Sequence, residues 1–316
     1  MAAVRNLLLV FFALAPGFAA AALSPAQVPG TAVWYLHVDI DELRRAESGG
    51  AVYAWLEREV FDDVRDDLGI DLHREADSVT AYSDAALGTV IVVDGDISDG
   101  TRDKLLALAA ADAALETRSH ARRSYVHARR DEVRKSAHSS LNDLDRSAYF
   151  SFDVAGKLIV TSDEKQMQAL LDRDGRIAGN QDHRGALLVL TAEGSIVQAG
   201  MRAPEVGSGA DGWDSNILRN TEQVALLVAD SRGGMSIEAR LVSREAAMAR
   251  SLAGIMNGLI SLQMLNEDLE PRVRSLIENT RIEVKDAVLS INALLDAATI
   301  RNLLGEADAR AAVQSP

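Results

Sequence analysis

The chain has 316 residues, 47% hydrophobic and 25% charged, with 33 Lys and Arg against 47 Asp and Glu and a formal charge of -14. That apolar content excludes a disordered chain, and the acidic balance excludes nucleic-acid binding by the chain as a whole. There is no cysteine, so packing alone must hold the fold and no cysteine-borne lipid anchor is expected.

Arg5, the apolar run Leu7 to Leu14, the break at Pro16-Gly17 and the small residues Ala19 to Ala22 open the chain. This order predicts a secretory signal peptide over residues 1–22, cleaved between Ala20 and Ala22. The run is shorter than the roughly 20 apolar residues of a membrane-spanning helix, so no transmembrane anchor is expected. Export of a cysteine-free acidic chain predicts a soluble periplasmic product.

Thr31 to Asp39 is β-rich and predicts a strand. Asp41 to Leu68 carries helical spacing, split at Gly49-Gly50. Ser78 to Ser83 and Gly88 to Val93 predict a hairpin turning near Ala85-Ala86. Arg102 to Leu115 is rich in Ala and Leu and predicts a helix, capped by Ser98 or Asp99. Ser124 to Arg129 reads as a short strand. Ala148 to Phe152 and Lys157 to Thr161 form a second hairpin around Ala155-Gly156. A helix from Asp163 to Asp172 follows, with Asp163 as N-cap and Gly175 beyond its end.

The second half repeats this rhythm. Ala186 to Thr191 predicts a strand, and Glu222 to Asp230 with Met235 to Val242 a hairpin. Glu245 to Leu265 predicts a long helix, apolar on most faces and so expected to be buried across a sheet. A helix from Pro271, a hairpin over Arg281 to Lys285 and Val288 to Asn292, and a helix from Ala297 to Leu304 complete the chain. The order predicts an α+β fold of two similar halves, residues 23–175 and 185–306, each an antiparallel sheet with helices packed on one face. Residues 307–316 are expected to form a disordered tail. If the halves correspond, helices 102–115 and 245–265 occupy equivalent places, and Gly254→Leu or Ala109→Leu overpacks the core.

Few motifs carry chemistry. His37 and Asp39 share a strand face, but a zinc site needs three or four ligands. Asp94-Gly95-Asp96 with Asp99 departs from the calcium-loop spacing and reads as a strand-to-helix turn. Asp62, Asp63, Asp66 and Asp67 form a solvated acidic helix face. Gly207-Ser208-Gly209 lacks the strand and helix of a nucleophile elbow. No nucleotide-binding or catalytic motif occurs, so no cofactor is expected. Arg118 to Arg146 is the basic region, with eight basic against four acidic residues. Its Arg118, Arg122, Arg123, Arg129, Arg130, Arg134 and Lys135 are candidate contacts for an anionic lipid or polymer, against the reading as a solvated loop. Gly254 and Gly258 stand at G-x-x-x-G spacing in the long helix, which suits core packing or a partner groove.

Val38, Asp39 and Leu43 in the opening segment, with Leu158, Ile159, Thr161, Ser162, Asp163 and Leu170 later, resemble uncharacterised exported bacterial proteins. The resemblance implies export and an α+β repeat, and no activity or site residue. The expected function is that of an exported, non-catalytic binding or interaction module whose partner is a protein or envelope component. Alternatives are an envelope-associated protein using residues 118–146, and an enzyme whose site assembles only in three dimensions.

Overall fold

The computed structural model describes residues 29–68, 70–130, 144, 147–177, 185–201, 219–232, 234–266, 269 and 271–314. The fold is α+β, with antiparallel pairing throughout the strand pairs of each unit. Two compact units form: one from Ser24–Asp41 and Phe61–His183, the other from Glu42–Val60 and Arg184–Pro316.

The first unit begins with β1 (Ala32–Asp39), which enters α1 (Ile40–Arg45), a helix whose residues from Glu42 onward belong to the second unit. The amides of Ile40 and Asp41 donate to the Asp77 carbonyl at 2.9 and 3.0 Å. After α3 (Asp62–Leu68) and α4 (Leu72–Glu75) comes the hairpin β2 (Ser78–Asp84) and β3 (Gly88–Asp94). The Asp84 carboxylate accepts the amides of Ala86 and Leu87 at 2.7 and 3.0 Å and fixes that turn. Then follow α5 (Asp99–Asp112), β4 (Ala114–His120), β5 (Arg123–Arg129), β6 (Ser147–Val154), β7 (Lys157–Thr161) and α6 (Glu164–Leu171). The strand order is β1-β2-β3-β7-β6-β5-β4. Helix α6 packs Met167, Leu170 and Leu171 into the core beside Ile159, and Tyr35, Val90 and Val92 are also buried in this unit.

The second unit holds α2 (Gly50–Leu56), β8 (Ala186–Glu193), α7 (Gly194–Met201), β9 (Thr221–Ser231) and β10 (Gly234–Ser243). It closes with α8 (Ala246–Met264), α9 (Pro271–Glu278), β11 (Thr280–Lys285), β12 (Val288–Leu295) and α10 (Ala297–Gln314). Its strand order is β8-β9-β10-β12-β11. That order matches β1-β2-β3-β7-β6 of the first unit position for position, and the hairpin β5-β4 extends the first unit beyond it.

Four expectations change. The segment 42–60 belongs with the second half: Ser48 donates its hydroxyl to Asp230 on β9, and α2 packs against α10. The 102–115 helix ends at Asp112, and its residues face water except for buried Thr101 and a half-buried minority. Its mate α8 is buried only in its first half. The chain after Gly305 stays helical to Gln314, where a disordered tail was expected. Caps fall where the sequence puts them: Ser98 Oγ accepts the Thr101 amide at 3.1 Å, and Asp163 accepts those of Lys165 and Gln166.

Candidate functional site

The basic stretch begins as strand, not loop. β4 and β5 form a tight hairpin whose two-residue turn, Ala121-Arg122, has both residues at positive φ, 49° and 67°. In its register Glu116 faces His127, Arg118 faces Tyr125 and His120 faces Arg123. Directly opposed residues share a sheet face, and α6 lies against the neighbouring strands β6 and β7.

Carboxylates meet the arginines of this face. Arg118 donates through Nη1 to Glu164 Oε1 and through Nη2 to Glu116 Oε2, both at 2.7 Å. Tyr125 donates its hydroxyl to the same Glu164 oxygen at 2.8 Å. Arg123 donates to the Leu171 carbonyl and to Asp174 at the C-terminal end of α6. Beside Glu116, the His127 ring stacks on Tyr149 at 4.4 Å and 7°, with Nε2 at 2.8 Å from the Ser147 hydroxyl. Burial, and then the Arg118 charge, push the His127 pKa below its ordinary value. Arg118 and then Tyr125 hold the Glu164 carboxyl below the usual carboxylate range. The arrangement clamps helix α6 to the sheet at both ends.

Of the other predicted basic contacts, Arg122 is exposed on the turn, Arg129 is exposed at the end of β5, and Arg130 follows half-buried. Arg134 and Lys135 lie outside the described residues, as do His138, His183, residues 1–22 and the segment 207–209. His37 Nδ1 lies 2.8 Å from the Thr80 hydroxyl. Asp94 pairs with Lys157, and the Gly95 amide donates to the Gly156 carbonyl at 3.0 Å. Among the described residues no group of three or more His, Asp or Glu side chains is placed to hold a metal ion.

A second feature stands out on α8. Ala249, Leu252 and Ala253 are buried, with Met248 and Met256 packed beside them against Leu241, Ile282, Val284, Leu289 and Ile291. Further along, exposure climbs: Ile255 is 41% exposed, Leu259 57%, Leu262 66% and Leu265 79%. Ile255, Leu259 and Leu262 follow at i, i+4 and i+7, so they share one flank of the helix. No charged residue stands between Arg250 and Asn266. Gly254 and Gly258 face open space, since a Cβ on either meets nothing within 4 Å. The expectation that this helix is core, and that Gly254→Leu overpacks it, is therefore corrected. Among the described residues no helix is long and apolar enough to cross a membrane.

Sequence reasoning found the arginines but missed Glu116, Tyr125, Tyr149 and Glu164. Their meeting depends on strand register and on the docking of α6, and no spacing in the chain encodes either. The exposure of Leu259 and Leu262 was missed because apolar periodicity does not say which apolar face is covered.

No protein-family description matches the chain, and no curated protein matches it. Solved structures of TP0453, a Treponema protein, are similar to it at 11% identity. Crystal form III gives a TM-score of 0.43 over 90% of this chain and 99% of that one. Form IV gives 0.45 over 87% and 92%, and form I gives 0.41 over 91% and 98%.

Proposed function

We propose that the protein is an exported, non-catalytic interaction module that docks a partner of apolar surface on the outer flank of α8. The observation that carries this reading is the exposed series Ile255, Leu259, Leu262 and Leu265, uninterrupted by charge. Single exposed leucines are ordinary, whereas a continuous apolar flank marks a contact surface. The envelope reading through residues 118–146 has less support. Arg118 and Arg123 are already engaged by Glu116, Glu164 and Asp174, and a polyanion would have to displace those carboxylates.

A photo-crosslinking residue at Leu259, installed in the producing cell, tests the proposal. A discrete adduct is expected there and not at Asp103, which is 70% exposed on α5. Equal labelling at both positions, or none at Leu259 and Leu262, overturns it.

A further inference from the structure

We infer that β4 is a self-pairing edge, through which two copies of the chain join antiparallel about a two-fold axis at Thr117. Among the described residues the strand stands at the end of the strand order and pairs with β5 alone. Ala114, Leu115, Glu116, Thr117 and Ser119 are exposed. At the opposite end of the strand order, β11 differs: its Ile282 and Val284 lie under α8.

The hydrogen-bonding phase of β4 follows from its turn. A two-residue loop with both residues at positive φ is closed by a hydrogen-bonded pair, here His120 and Arg123. Bonded and non-bonded pairs then alternate along the hairpin. Arg118, Glu116 and Ala114 bond inward to β5, and Leu115, Thr117 and Ser119 direct their N–H and C=O groups outward. An exposed edge of this kind is a template for another strand.

The side chains select the occupant and the register. With Thr117 opposite Thr117 of a second copy, Leu115 meets Ser119, and Glu116 meets Arg118 in both directions, so the Glu116–Arg118 pair that each copy already makes is joined to its mate as alternating charges without displacing any carboxylate. The Glu116–Arg118 pairs fall at non-hydrogen-bonded positions, where opposed side chains are closest. Sliding by one step in either direction, with the same groups directed outward, sets Glu116 against Glu116 or Arg118 against Arg118, and opposed like charges disfavour both slips. Of these three registers, the one centred on Thr117 satisfies backbone and charge together, and slips beyond them leave fewer residues paired. A contact that matches the same patch to itself is that of a closed two-fold dimer. Seven residues of edge bury less than the roughly 800 Å² per partner of a long-lived complex, so the dimer is reversible and forms at micromolar concentrations or above.

Analytical ultracentrifugation of the full chain over a wide concentration range tests this. The expected result is a reversible rise toward twice the monomer mass. Thr117→Pro removes only an outward N–H, a change an edge strand tolerates. Glu116→Arg opposes two cations across the axis. Both variants are expected to stay monomeric while keeping the far-ultraviolet circular dichroism of the parent. The chain lacks cysteine, so Thr117→Cys with a short thiol-to-thiol crosslinker reads the axis directly and is expected to link faster than Asp103→Cys. A parent that stays monomeric at every concentration overturns the inference. So does association that survives both Thr117→Pro and Glu116→Arg, or crosslinking at residue 117 no faster than at residue 103.

Discussion

Arg118 and Glu164 are 46 positions apart and meet at 2.7 Å. Their contact joins β4, at the end of the strand order, to the first turn of α6, where the helix terminus itself favours a negative charge. Tyr125 adds a second donor to the same carboxylate oxygen.

This contact predicts an acid-sensitive increment of stability. The Glu164 carboxyl is held below its ordinary value of 4.5, first by Arg118 and then by Tyr125. A depressed carboxylate contributes fully above its unfolded value and loses that contribution as pH falls through the folded one. Glu164→Gln is expected to cost about 1 kcal/mol near neutrality, a figure held low because both partners are about one-third exposed. Urea melts at about pH 7 and about pH 3 are expected to show that gap closing in acid.

Tyr82 predicts the opposite dependence at the alkaline end. Burial, with Asp84 adding to it, pushes its phenol from 10.0 up to about 12. The buried neutral phenol therefore contributes fully below about pH 10, and the contribution is lost as pH rises toward 12. Tyr82→Phe is expected to flatten part of the alkaline fall in stability and to remove one late-titrating phenol from the ultraviolet absorbance.

Two glycines in the second unit separate backbone crowding from helix propensity. A Cβ at Gly234, the first residue of β10, would stand 2.1 Å from the Leu295 carbonyl oxygen. Gly234→Ala is expected to cost about 1–3 kcal/mol. Gly254→Ala, in open space on α8, is expected to add about 0.5–1 kcal/mol through helix propensity. Chemical denaturation of both variants measures the contrast.

The two halves of α8 predict a second contrast. Leu252 is buried against the sheet, whereas Leu259 and Leu262 are exposed. Leu252→Ala is expected to cost about 2–4 kcal/mol. Leu259→Ser with Leu262→Ser is expected to stay within about 1 kcal/mol of the parent, apart from the small helix-propensity difference. A large loss from the exposed pair would show that those leucines serve packing instead of docking.

The proposed export predicts a processed product. N-terminal sequencing of protein recovered from outside the cytoplasm is expected to begin between Ala21 and Leu23, after cleavage between Ala20 and Ala22. An intact Met1 on that material would end the signal-peptide reading.

The hairpins and caps were legible in the sequence because they are local. The β-branched run in Gly88–Asp94, the apolar strand Val288–Leu295, the Asp163 cap and the break at Gly49-Gly50 each depend on a few neighbouring residues, and the elements appear where those residues put them. β4 was missed because its sequence, mostly polar and with no buried residue, has no apolar alternation to read. The transfer of residues 42–60 to the second unit rests on long-range contacts, Ser48 with Asp230 and α2 with α10. Helix α8 shows the division within one element. Its sequence determined that it is helical and apolar nearly all round, but only the tertiary structure decided that the sheet covers Ala249, Leu252 and Ala253 and leaves Leu259 and Leu262 in water. Periodicity records which residues avoid water, whereas burial depends on how far the supporting sheet extends beneath them.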